Sequence, residues 1–216
     1  MYESQFLISA KILKTMPLKA ILIFFLVFTS LNSFGQLSAQ VEQYSFNIVH
    51  SDKQIGTLKA SKESDGLKTI YSDKTTLQTH LFTKINVDFS YDVEYSANTF
   101  VNSMVLIHVN GHEHTKSSTK KNNNTYQFFK DDDDEKDIKT PIKYSSVRLL
   151  FDEPVGITSV FSEEDGSFHM LEKLGDHSYQ KTSPAGHKNK YHYEAGKLKK
   201  AEIHAGVISF DIESTM

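Results

Sequence analysis

Residues 85–95 read INVDFSYDVEY, and their alternation decides the fold class. Every odd position carries an apolar or aromatic side chain, and every even position carries a polar one. Successive side chains of a β-strand point to opposite faces, whereas a helix would spread these apolar residues around its whole surface. The stretch therefore predicts one long strand with a buried face and a hydrated face.

Turn sequences separate shorter runs of the same kind along the rest of the chain. Asn110-Gly111 and Asp65-Gly66 favour tight hairpins, and Asp165-Gly166 and Ala195-Gly196 occupy comparable places between later runs. Such turns recur about every ten to twenty residues, a spacing that favours an antiparallel meander over parallel βαβ units.

We therefore predict an all-β domain, in which an antiparallel meander forms a curved sheet, a half-barrel or a barrel. Closure would remove the exposed sheet edges that invite aggregation, and this favours strong curvature. At most one or two short helices are expected. The clearest one lies at Ile142–Leu150, where Thr140 suits the cap and Pro141 suits the first turn.

The N-terminal region has the three parts of a secretion signal. Three lysines between positions 11 and 19 precede an apolar run over residues 20–28. Ser33 and Gly35 then supply the small residues, two positions apart, that a signal peptidase requires. This order predicts a signal over residues 1–35 that is cleaved after Gly35, and hence a periplasmic or secreted protein.

A single β-rich domain is expected over residues 36–216, and Met16 is an alternative start that gives a signal of ordinary length. A retained membrane anchor is the competing interpretation. It is disfavoured because the uninterrupted apolar run has nine residues, well short of the ~20 that span a bilayer. We expect no stable membrane span once the signal is removed.

Composition excludes several classes of function. The formal net charge is −3, so the chain has no electrostatic reason to bind the phosphate backbone of nucleic acids. Cysteine is absent, which excludes disulfides, thiolate metal sites and thiol nucleophiles. The 15 Phe and 10 Tyr supply large apolar area for a core.

Histidines near the Asn110-Gly111 turn are the most prominent candidates for metal binding. A two-residue turn would pair Val109 with His112, which places His112 and His114 on one face and His108 on the other. Two imidazoles spaced in this way can share Zn²⁺, Cu²⁺ or Ni²⁺, but a third ligand is required. The competing interpretation is a pair of surface histidines beside a hairpin.

Two acidic runs are interpreted as solvated turns. Asp131–Glu135 lacks the alternating ligands and central glycine of an EF-hand loop, so we expect a charged, hydrated loop. Residues 163–165, Glu-Glu-Asp, precede Gly166 and are expected at an exposed hairpin tip. Such a tip offers little of the burial that raises the pKa of a catalytic acid.

No local catalytic or cofactor motif is present in the sequence. It contains no Gly-x-Ser-x-Gly elbow, Ser-x-x-Lys motif, phosphate-binding loop or dinucleotide fingerprint. We therefore predict no catalytic residues and no cofactor, and a non-enzymatic role is favoured. A Ser/His/Asp triad assembled only by the fold has no contiguous signature.

The aromatic face of residues 85–95 has two interpretations. It is either ordinary core, or it lines an apolar cavity inside a curved sheet that little helix is available to cover. On the second interpretation the candidate ligand-binding residues are Phe89, Tyr91, Val93 and Tyr95.

Several short motifs between Tyr144 and Phe210 resemble those of a family of uncharacterised exported bacterial proteins, a domain of unknown function. They are Leu150-Phe151-Asp152-Glu153-Pro154, Val160-Phe161-Ser162-Glu163, the Gly166 turn, Tyr191-His192-Tyr193 and Gly196, with Ile55-Gly56-Thr57 in the leading strand. Ser33-Phe34-Gly35-Gln36 is similar to cleavage sites of Bacteroidetes-type exported proteins, which implies a Gram-negative envelope. More loosely, the architecture resembles the curved-sheet folds of periplasmic lipoprotein carriers. The resemblance implies no activity.

Three functions follow as hypotheses. The first is a non-catalytic envelope protein that holds an apolar small molecule or a lipid in a curved sheet. The second is an interaction module for another envelope protein, recognised through a sheet edge or a polar face. The third is a metal-dependent hydrolase built on His112 and His114.

Overall fold

The computed structural model describes residues 39–80, 84–131, 134–205 and 208–216. The proposed signal and its cleavage site lie outside these residues. Within them, fourteen strands form one antiparallel sheet. The strands are β1 (Gln40–His50), β2 (Lys53–Ser64), β3 (Lys68–His80), β4 (Lys84–Ser96), β5 (Thr99–Val109), β6 (His112–Asn122), β7 (Thr125–Lys130), β8 (Asp134–Ile138), β9 (Ser159–Ser162), β10 (Ser167–Gly175), β11 (Ser178–Thr182), β12 (Lys188–Glu194), β13 (Lys197–Ala205) and β14 (Ile208–Ser214).

Each strand pairs with its neighbours in sequence, with one exception. The first and last strands pair with each other, with Ile48 opposite Ile212, and so join two meanders, β1–β8 and β9–β14. Strands β8 and β9 are left at the two edges of the sheet. The predicted all-β antiparallel meander is confirmed.

The strand predicted at residues 85–95 is β4, which pairs with β3 and β5 along nearly its whole length. Its odd residues share a face with the buried side chains of both neighbours, because directly opposed residues of a sheet point to the same side. This side is the concave, inner face of the sheet.

The Asn110-Gly111 turn is formed as predicted. Asn110 has φ 53° and Gly111 has φ 81°, the pair of positive values that a two-residue hairpin turn of the primed type requires. Val109 is opposite His112 as expected. The acidic run differs from its prediction as a hydrated loop, because β8 begins inside it at Asp134.

The predicted helix at Ile142–Leu150 is shorter and of a different kind. Only Ser146–Leu150 is helical, as a short 3-10 helix, and the N-cap residue Ser145, which precedes it, makes no side-chain capping bond. Thr140 and Pro141 lie outside the helix, so their predicted capping role is wrong. The carboxylate of Glu163, from the turn after β9, accepts the backbone N–H groups of Ser146 and Val147 instead. This long-range cap has no local sequence signature.

Residues 142–151, which we call the plug, cover one end of the inner face. Ile142, Val147, Leu149 and Phe151 are buried. The ring of Phe151 packs edge-on against Tyr44 of β1 at 5.5 Å and Tyr71 of β3 at 5.2 Å between centroids. The plug therefore supplies the second layer that the sheet needs at this end.

The two ends of the sheet approach each other through side chains. Ser117 of β6 donates its hydroxyl to the backbone oxygen of Glu163 at 2.8 Å, and Lys136 of β8 donates to that of Gly166 at 3.0 Å. Gly166 has φ 63° and lies so close to the Phe128 ring that a Cβ atom would come within 2.5 Å of it. The described residues of β8 and β9 share no hydrogen-bonded ladder, so the sheet is strongly curved but remains open.

Among the residues that the structure describes, no helix is long and apolar enough to cross a membrane.

Candidate functional site

A cavity of about 990 Å³ lies between the inner face of the sheet and the plug. Val147 and Leu150 of the plug form its floor. Its walls are mainly apolar side chains from both meanders: Ile48, Leu58, Leu77, Ile85, Val87, Phe89, Ile107, Val109, Ile203, Phe210 and Ile212. Small-molecule sites are typically concave, mostly apolar and about 300–1,000 Å³ in volume. The cavity has the size and character of such a site.

The cavity opens at the end away from the plug. Its rim carries exposed residues: Pro184 and His187 from the β11–β12 connection, His114 near the start of β6 and His204 near the end of β13. The walls just inside this rim are only half-buried, because they face the cavity and not a second protein layer. A ligand has a direct path from solvent to the apolar interior.

The four candidate ligand-binding residues of β4 divide between two environments. Phe89 and Tyr91 line the cavity. Val93 and Tyr95 lie further along the strand at the plugged end, where both are fully buried. The Tyr95 ring packs edge-on against Tyr71 and Phe100, so this pair belongs to the core.

A group of acidic side chains lies at the inner part of the cavity, near the plug. Asp73 of β3 is directly opposite Tyr91 of β4, and Tyr91 donates its hydroxyl to Glu164 Oε2 at 3.2 Å. Asp73 and Glu164 both line the cavity. Glu163, the neighbour of Glu164, is only 1% exposed.

Asp73 is a buried carboxyl group with few interactions that would stabilise its charged form. Its side chain is 6% exposed, and among the described residues its one hydrogen bond comes from Thr75 at 3.4 Å. Burial, followed by the negative charge of Glu163, raises the pKa of Asp73 to about 8. A carboxyl with this pKa carries a proton at neutral pH, so it can donate a hydrogen bond into the cavity.

Glu163 has a structural task. Its two carboxylate oxygens accept the N–H groups of Ser146 at 3.1 Å and Val147 at 3.0 Å. Burial raises the pKa of Glu163, and the hydrogen bond from Val147 opposes that shift. The residue therefore fastens the plug to the turn that follows β9.

Asp165 and His169 form a hydrogen-bonded pair at the cavity wall. His169 Nε2 lies 2.9 Å from Asp165 Oδ2, and Ser167 donates both its backbone N–H and its hydroxyl to Oδ1 of the same carboxylate. Burial disfavours the charge on Asp165, but the hydrogen bonds from His169 and Ser167 outweigh it and lower the pKa to about 2. His169 Nδ1 is buried without a partner in the described part of the chain, so no serine is positioned there as a nucleophile.

The histidines near the β5–β6 turn do not keep the predicted spacing. A regular hairpin that pairs Val109 with His112 would pair Ile107 with His114. His108 is opposite Glu113, but a β-bulge then shifts the register, so that Ile107 is opposite Thr115 and not His114. Both His112 and His114 are exposed, and His114 lies on the cavity rim. In residues 39–80, 84–131, 134–205 and 208–216, no three His, Cys, Asp or Glu side chains are grouped to hold a metal. The metal site at His112 and His114 stays a prediction that lacks its third ligand.

The expectation of an exposed, hydrated tip at residues 163–165 holds only for Asp165, which is exposed where it lines the cavity. Glu163 is buried, and Glu164 is half-buried and lines the cavity. The backbone of the tip makes the contacts with β6 and β8 described above, and these carry it over the open side of the curved sheet. No local pattern distinguishes such a tip from an ordinary turn.

Asp73 was also missed, although a signal for it was present. In residues 71–77, YSDKTTL, Asp73 is in phase with Tyr71, Thr75 and Leu77 on the face that the two-residue period turns inward. A charged residue in phase with a buried face is an exception that points to a site.

Fold and cavity together define the class: a β-barrel-like protein with an internal apolar cavity. Residues 46–215 match the family described as "Domain of unknown function (DUF6134)", and the chain belongs to this family. No curated protein matches this sequence.

A solved structure shares the fold. It is the crystal structure of a beta-barrel-like protein of the domain of unknown function DUF1849 from Brucella abortus, with a TM-score of 0.53 and 10% sequence identity. The alignment covers 81% of this chain and 94% of the Brucella chain. At this identity the similarity concerns the fold alone.

Proposed function

We propose that this protein is a non-catalytic binding protein of the cell envelope, and that it holds an apolar or lipid-like molecule in the cavity. The observation that carries the proposal is the apolar wall formed by residues such as Val87, Phe89 and Ile107, which faces an open space of about 990 Å³. Apolar surface facing water is unfavourable by roughly 25 cal/mol per Å². An apolar ligand that covers this wall gains that free energy.

The envelope location rests on the N-terminal sequence. The lysines, the apolar run over residues 20–28 and the small residues Ser33 and Gly35 have the order of a secretion signal. A carrier or receptor for a poorly soluble molecule has a use in an aqueous envelope compartment. The proposal assigns no catalytic residue.

Native mass spectrometry tests the proposal on protein recovered from the periplasm of an expressing bacterium. We expect a species heavier than the chain by the mass of a lipid, which reverts to the chain mass on denaturation. A bare chain that also takes up no added lipid would contradict the proposal and favour the envelope-protein partner. An added metal mass would instead direct attention to His112 and His114.

Filling the cavity gives a second test. Val87→Trp places a large ring in the cavity, so we expect the variant to lose most of its bound lipid while it stays folded. Ser90→Trp is the matched control, because Ser90 lies on the same strand but on its outer face, beside a shallow groove lined by Leu106 and His108. Thermal unfolding checks that both variants are folded. Equal lipid retention by the two variants would place the ligand elsewhere.

A further inference from the structure

The polar part of the cavity is unbalanced in charge. Asp73 and Glu164 line the cavity near the plug, and Glu163 is buried next to Glu164, where its charge acts on Asp73. Lys181 also lines the cavity, and its charge acts on Glu163. Lys181 Nζ lies 3.4 Å from Ser146 Oγ, and its positive charge lowers the pKa of the neighbouring Glu163. Lys181 therefore compensates Glu163, and Asp73 and Glu164 are left without a cation among the described residues.

The pKa of the Tyr91 hydroxyl is raised by burial and by the same acidic group. Burial raises its pKa well above the ordinary value, and the charges of Glu164, Asp73 and Glu163 raise it further. Its hydroxyl donates to Glu164, which leaves the acceptor capacity of Asp73 unused apart from the weak contact with Thr75. A buried carboxyl without partners is costly unless a donor from outside supplies them.

We propose that the ligand of this cavity is a cationic amphiphile, an amine on an apolar body, whose ammonium group binds at Asp73 and Glu164. This inference rests on the proposed function and names the chemical class of its ligand. The apolar body lies along Val87, Phe89 and Ile107 toward the rim, because these residues continue the wall outward from the acidic group. An anionic head group at the same place would instead lie beside the carboxyl groups of Asp73 and Glu164.

Binding of an ammonium group is coupled to a proton. With the cavity empty, Asp73 holds a proton at pH 7, because burial raises its pKa to about 8. The charges that act on Asp73 are those of Glu163 and Asp92. Tyr91, opposite Asp73, donates its hydroxyl to Glu164. Lys181 lies in the same cavity lining, where its charge acts on Glu163. An ammonium ion beside Asp73 stabilises its carboxylate, so the proton leaves as the amine binds. Amine affinity therefore rises as the pH increases from 6 to 8.

Isothermal titration calorimetry with three probes of equal chain length tests the inference. The probes are dodecylamine, dodecanol and dodecanoic acid, each below its solubility limit or micellar concentration. We expect dodecylamine to bind about tenfold to a hundredfold more tightly than the other two, the range of a charge-assisted hydrogen bond. Titrations at pH 7 in phosphate and in Tris, which differ in ionisation enthalpy, should show release of about one proton for each amine bound.

Substitutions locate the effect. Asp73→Asn should abolish the proton release and weaken amine binding, and Glu164→Gln should weaken amine binding while proton release persists. Dodecanol binding should be unchanged in both variants. Glu194→Gln is the control, because Glu194 is an exposed carboxylate of β12 outside the cavity lining.

The outcomes separate this inference from the proposed function. If dodecanol or dodecanoic acid binds as tightly as dodecylamine, the amine class is wrong and the apolar cavity stands. If none of the three probes binds, the proposed function fails as well. If Asp73→Asn and Glu164→Gln bind dodecylamine as Glu194→Gln does, the acidic group is not the amine site.

Discussion

The inner face of the sheet has a plugged end and an open end, which are built from the same strands but are covered differently. Strand β4 runs through both, with Val93 and Tyr95 fully buried at the plugged end and Val87 and Phe89 half-buried at the open end. The apolar alternation is the same in both halves. The difference lies in what covers the strand, the plug at one end and an open cavity at the other. One sequence pattern can therefore serve as core and as ligand wall in a single strand.

The attachments of the plug explain why it stays at its own end. Tyr193 donates its hydroxyl to the backbone oxygen of Leu149 at 2.8 Å, and Glu163 caps the helical turn. Immediately after the plug, Asp152 accepts hydrogen bonds from Lys62 of β2 and Lys197 of β13 at 3.3 and 3.1 Å.

Truncating one aromatic ring at each end should give the largest difference in the free energy of unfolding between the two ends. Phe151→Ala removes a fully buried ring packed on Tyr44 and Tyr71, so we expect it to lower the free energy of unfolding by about 3–5 kcal/mol. Phe89→Ala removes a ring that already faces the cavity, and we expect a loss of about 1 kcal/mol. Urea unfolding measures both. Similar losses would mean that the open end is packed as tightly as the plugged end.

The next largest expected effect is the pH dependence of stability that Asp73, in the cavity, produces. The folded-state pKa of Asp73 is about 8, above its ordinary value of 3.8, so the folded protein binds more protons than the unfolded chain between these values. Asp73 therefore makes stability fall as the pH rises from about 4 to 8, with a slope of at most about 1.4 kcal/mol per pH unit.

Asp73→Asn should remove that part of the slope, so the variant gains stability relative to the natural chain as the pH rises. Urea unfolding at pH 6, 7 and 8 measures the difference, with Glu194→Gln as the exposed control. A constant difference between Asp73→Asn and the natural chain across this range would show that Asp73 is ionised throughout.

The smallest expected effect concerns the cation of the plug. The guanidinium carbon of Arg148 lies 4.4 Å from the ring centroid of Tyr144, 5.2 Å from that of Tyr95 and 5.7 Å from that of Tyr71. Arg148→Met keeps the apolar stem but removes the cation–π contacts, and we expect a loss of about 1–2 kcal/mol. Lys143→Met removes an exposed cation of the plug and should change stability little. Equal effects in thermal or urea unfolding would contradict a specific role for the three rings.

The strands were predictable to the extent that their information is local. The alternation of residues 85–95 and the Asn110-Gly111 turn both correspond to the observed β4 and β5–β6 hairpin, since period and turn chemistry act between near neighbours. The bulge at His114 was not predictable, because one extra residue leaves no mark in composition. The helix at Ile142–Leu150 was overestimated, since its cap comes from Glu163 in a distant turn.

About half of the candidate site could be predicted from the sequence. Phe89 and Tyr91 follow from the alternating pattern, and Asp73 would have followed from its phase with Tyr71 and Leu77. Glu163 and Glu164 did not, because only the approach of the β9–β10 turn to β6 and β8 takes them out of water.

The sequence by itself determined that this protein is an antiparallel β-sheet, which strands it has around residues 85–119, and which face of them is apolar. These properties depend on a two-residue period and on turn residues, both of which act over a few positions. Only the tertiary structure decided which part of the apolar face is core, which part faces a cavity, and that acidic residues of a turn enter it. Those outcomes depend on contacts between residues as far apart as Ser117 and Glu163, and the free energy of such contacts exists only when the chain has brought them together.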